Sequence, residues 1–162
     1  MAAEFSNNAT QTVLANGGVI FSETPVPCNR GLIYHRDESP LFRLASPSAI
    51  NFGCYRPSCG CCNMPTANYL VQFSGNIAIP EDPAGTVEAI SLALAVDGEI
   101  DPSSIMTVTP AAVGDLWNVS TQIVVVVPWL CRCSSVSVRN VSTQPIEVSN
   151  ANITFDFDGI RR

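Results

Sequence analysis

The chain has 162 residues, 46% of them hydrophobic and 14% charged, with eight bases against fourteen acids for a formal charge of −6. That length suits one domain with a full core, and the acidic balance argues against nucleic-acid binding because nothing would neutralise phosphates. All eight bases are arginine, so lysine-dependent Schiff-base chemistry and P-loop phosphate transfer are excluded.

Residues 1–10 read as a polar arm. Met1–Asn8 has neither the basic segment nor the apolar core of a signal peptide, so the expectation is a chain that stays inside the cell or leaves by lysis or assembly. Gln11–Phe21 reads as two short β stretches around a turn at Asn16-Gly17, followed by a rigid Pro25-Val-Pro27 link. Gly31–His35 and Leu41–Leu44 form a hairpin over the charged turn Arg36–Pro40. A loop of about residues 45–65 follows, long enough that a function or a crosslink is expected of it.

Asn68–Phe73 alternates, placing Tyr69, Val71 and Phe73 on one face and Leu70 and Gln72 on the other, and the strand is expected to run on towards Pro80. Thr86–Val96 puts Ile90, Leu92, Leu94 and Val96 opposite a close-packed face of small residues, then turns at Asp97-Gly98, a strong hairpin signal. Ser104–Thr109 and Trp117–Val127 are further strands. The second ends in Ile123-Val-Val-Val-Val127, too short to span a membrane but apolar on both faces, which predicts burial on both faces by a second copy of the chain. Ser134–Val141 and Ile146–Val148 flank a turn at Gln144-Pro145, and Ala151–Phe157 alternates again. No stretch has helical periodicity, so eight to ten strands at this spacing predict an all-β antiparallel sandwich.

Seven cysteines are an odd number, so at least one must be free, metal-bound or paired with another chain. Cys54, Cys59, Cys61 and Cys62 crowd into nine residues, and Cys131 and Cys133 lie on the face of their strand opposite Val136 and Val138. Three readings stay open: disulfides tying the 45–65 loop to the 131–133 segment or to a neighbouring subunit, a zinc site on four thiolates, or free thiols. Cys28 is left over as a free or intersubunit thiol. A nucleophilic cysteine would need a base, and the one histidine, His35, lies in a separate hairpin, where a surface or packed role is expected. Asp37-Glu38, Glu81-Asp82 and Asp97/Glu99 read as solvated turns, and no catalytic triad pattern is present. Asn8, Asn118, Asn140 and Asn152 open glycosylation triplets that mean little without a leader.

The strand order resembles the trimeric jelly-roll domain of tumour necrosis factor and the globular heads of the first complement component. Ala67–Phe73 is similar to that family's central aromatic strand, Leu92–Gly98 to its apolar hairpin, and Ile153–Phe157 to its closing strand, so the resemblance spans roughly residues 11–160. Gln11-Thr-Val13, Thr24–Arg30 and Val108–Ala112 are similar to small uncharacterised proteins of gut bacteria and their prophages.

The resemblance implies a jelly roll that forms a homotrimer through Tyr69, Val71, Phe73, Val125, Val127, Phe155 and Phe157. Bacterial versions of the domain tip spore-surface filaments and occur in phage virions. The expected function is therefore a non-enzymatic structural protein outside a large assembly, first a virion head decoration or fibre on the virion surface, then a disulfide-crosslinked spore-surface or appendage subunit. A second class is a trimeric module binding host glycans or proteins. No collagen-like stalk is present, so residues 1–10 are expected to dock on a capsid or other lattice. No cofactor is expected apart from zinc at the cysteine cluster.

Overall fold

The computed structural model describes residues 2–28, 32–46, 66–128 and 133–161. They form an all-β sandwich of two antiparallel sheets. The first runs β10 (Trp117–Pro128), β6 (Thr66–Ala78), β12 (Ile146–Arg161), β1 (Ala2–Asn7), β3 (Glu23–Val26), with β2 (Gln11–Val13) also on β12. The second runs β4 (Ile33–His35), β5 (Phe42–Leu44), β11 (Ser134–Asn140), β7 (Ile90–Val96), β8 (Glu99–Ile100), with β9 (Met106–Val108) also on β7.

The period-2 pattern explains why these residues are strands: each long one turns an apolar set inward and a different set outward. Asp97 and Gly98 both take positive φ, 52° and 88°, the conformation a two-residue hairpin turn demands, and the turn joins β7 to β8 as expected. The small face of β7 is closely packed, Ala93 and Ala95 being buried. A short 3₁₀ turn, Pro102–Ser104, precedes β9 where a longer strand was expected.

Three expectations are corrected. Residues 2–7 are no arm: they form β1, an inner strand paired with β12 on one side and β3 on the other. Ala3 and Phe5 carry it, buried beneath the sheet, with the Phe5 ring 4.9 Å from Phe42 and 6.0 Å from Phe155. Dense polar composition hid this alternation. Pro25 lies inside strand β3 instead of a rigid link; β3 is an edge strand, where a missing N–H is tolerated. Ile146–Val148 and Ala151–Phe157 are one strand, β12, interrupted where Asn150 takes a φ of 50°.

Two residues noted in the sequence have structural roles. His35 stacks on Phe42 at 4.3 Å, and its Nε2 lies 2.9 Å from the Ser39 carbonyl, closing the hairpin turn. Asn140 is 0% exposed. Its Nδ2 donates to the carbonyls of Val13, Leu14 and Gln144 at 2.9–3.3 Å, and its Oδ1 accepts from Ser142 N at 2.8 Å. It clamps the end of β11 to the turn after β2, with no room for a glycan.

Candidate functional site

The residues expected at a trimer contact are in the wrong phase of their strands. Tyr69, Val71, Phe73, Val125, Val127 and Phe155 point into the sandwich and are buried within the single chain, while Phe157 is half-buried against Tyr69 with ring centroids 5.4 Å apart. Their size and apolarity suit a core, and the core uses them. Burial raises the Tyr69 hydroxyl far above the usual phenol range, and the nearby Cys28 adds to the effect; the hydroxyl donates to the Ala45 carbonyl.

The opposite phase of the same strands builds an open face. Register places Ser120 beside Ser74, Asn152 and Ser6, and places Gln122 beside Gln72, Thr154 and Glu4. Asn118 lies beside Asn76, its Nδ2 donating to Asn76 Oδ1 at 3.1 Å. Towards the other end the rows turn apolar. Val124 lies beside Leu70, and Val126 beside Asn68; the two valines are 61% and 52% exposed. In the single chain these outward valines stay exposed, so burial of that face is left to the second copy that the sequence pattern invoked. The Asn68 side chain is buried, and its Oδ1 has no hydrogen-bond partner among the described residues.

The polar half forms an open groove of about 520 Å³ lined by Gln72, Phe73, Ser74, Ser120, Thr121, Gln122, Asn152 and Thr154. Gln72 Nε2 donates to Gln122 Oε1 at 3.1 Å, and Asn152 Nδ2 donates to Glu4 Oε1 at 2.5 Å on the rim. Sequence reasoning followed the apolar phase of these strands and missed this set. The signal was there in the alternation of Leu70, Gln72 and Ser74 with the core residues.

Cys54, Cys59, Cys61, Cys62 and Cys131 lie outside the described residues. Cys133 is disulfide-bonded, whereas Cys28 is a free, half-buried thiol at the edge of the core. Among the described residues no three His, Cys, Asp or Glu side chains gather as a metal set, and no helix is long and apolar enough to cross a membrane.

No protein-family model and no curated protein matches the chain. Among solved structures it is similar to the globular domain of zebrafish complement 1qA protein, with a TM-score of 0.58 and 12% identity over 99% of this chain and 98% of that one. A family 35 carbohydrate-binding module from Clostridium thermocellum aligns at a TM-score of 0.36 and 11% identity, over 94% and 97% of the two chains. At such identities the likeness is one of fold. The chain is an all-β jelly-roll sandwich, the fold its strand order suggested.

Proposed function

We propose that this chain is a non-enzymatic, self-associating structural module, and that its copies meet over β10 and its outward valines. The observation that supports this reading is the exposure of Val124 and Val126, side by side in one phase of an edge strand, with Leu70 across from Val124. From Trp117 to Val127 that strand carries no charge, no proline and no glycine. Natural edge strands are normally guarded by such residues against pairing with another chain, so an unguarded one points to a partner that belongs there. Covering both valines returns on the order of 2 kcal/mol per copy, a contribution that ring closure repeats at every contact.

The trimer implied by the family resemblance is the assembly this reading adopts, through the opposite phase of the strands from the one the sequence suggested. Placement on the exterior of a virion, with a spore or cell surface as the second choice, rests on composition and on that resemblance. Sedimentation of the purified chain over a range of concentrations tests the reading: a single species at a multiple of the 17.3 kDa chain mass is expected, and a monomer throughout would overturn it.

A further inference from the structure

The polar half of the outward face is a second feature, carried by an observation independent of the valines. Several hydroxyls elsewhere in the molecule are partnered. Ser91 Oγ and Thr107 Oγ1 are 2.8 Å apart, Ser104 Oγ donates to the Asp101 carbonyl at 2.7 Å, and Thr143 Oγ1 donates to Glu88 at 2.8 Å. In the groove, the hydroxyls of Ser74, Ser120 and Thr154 make no hydrogen bond to any described residue, although they sit in neighbouring rows of one rigid sheet. The bond between Gln72 and Gln122 uses one donor and one acceptor. Whichever way the two amides are turned, one carbonyl oxygen and one NH₂ group stay available, side by side across the strands.

The groove thus presents hydroxyls that donate and accept, next to an amide donor and an amide acceptor, and no charged side chain lines it. Its volume falls within the roughly 300–1,000 Å³ of small-molecule sites. We infer that it binds a neutral carbohydrate, whose vicinal hydroxyls both donate and accept and so match this set. An anionic ligand is disfavoured by the Glu4 carboxylate on the rim and by the net charge of −6. An apolar ligand would strand the free hydroxyls and amides without partners. Because the long strands hold the lining, the site is preorganised, and because it is open and shallow, the affinity is weak.

The test is a backbone amide NMR titration of the full chain with the methyl glycosides of glucose, galactose, mannose and N-acetylglucosamine, to about 50 mM, and with sialyllactose as the charged comparator. At least one neutral glycoside is expected to shift the resonances of Gln72, Ser74, Ser120, Gln122, Asn152 and Thr154, and to do so more strongly than sialyllactose. The exposed-site substitutions Gln122→Ala and Ser120→Ala fold normally and weaken that binding about tenfold together, the scale of one to two lost hydrogen bonds. No shift with any of the four glycosides, shifts centred outside the groove, stronger binding of sialyllactose, or variants that bind as the unmodified chain does would each overturn the inference. Binding by a monomer would leave it standing and remove the self-association reading, while an oligomer without binding would do the reverse.

Discussion

The two phases of β6, β10 and β12 differ by one residue in register and by everything in environment. Inward, Tyr69, Val71, Phe73, Val125, Val127 and Phe155 fill the core. Outward, Gln72, Gln122 and Val124 are exposed, with Leu70 and Ser74 half-buried beside them. Large apolar residues therefore mark what holds the fold, and the smaller, mixed set beside them marks what the fold can offer to others.

The largest expected effect breaks the inward phase. Phe155→Ala removes a ring packed against Phe42 and Phe5 and is expected to cost about 3–5 kcal/mol by urea unfolding. Gln72→Ala, one strand away on the outward phase, is expected to stay within about 0.5 kcal/mol. Equal costs would erase the distinction between the two faces.

Asn140→Ala comes next, at about 2–4 kcal/mol, because it leaves the buried carbonyl of Val13 and the part-buried carbonyl of Gln144 without this donor. A loss below about 1 kcal/mol would show that water replaces the clamp.

Tyr69→Phe is smaller, about 1 kcal/mol near neutral pH from the lost bond to Ala45, but it has a distinctive pH signature. Burial raises the Tyr69 pKa in the folded state, so above the unfolded phenol value of about 10 the unfolded chain binds fewer protons than the folded one. This contribution is fully present below pH ~10 and is lost as pH rises through the folded value. Unfolding midpoints measured upward from pH 9 should fall more steeply for the unmodified chain than for Tyr69→Phe, and parallel curves would contradict the assignment.

Much of this was legible in the sequence, because period-2 patterning and turn chemistry are local signals. Asp97-Gly98, the alternation of Asn68–Phe73 and the close-packed alanines of β7 needed no tertiary information. Other features did. Phe5 is the one large side chain that β1 buries, and a single aromatic among alanine, serine and asparagine gives no pattern until its partners Phe42 and Phe155 are known. Ile123–Val127 is equally apolar in both phases, so the sequence could not say which valines the core takes. Asn140 looked like a glycosylation triplet because two of the three backbone carbonyls that bind it, those of Val13 and Leu14, come from residues more than a hundred positions away.

The central claim is that the outward valines of β10 join copies of the chain, and light scattering on a paired variant tests it most directly. The unmodified chain is expected at a multiple of 17.3 kDa, and the double substitution Val124→Arg with Val126→Arg at a single chain mass, with its thermal unfolding still cooperative. An unmodified chain at 17.3 kDa, or a folded double variant that stays assembled, would contradict the account.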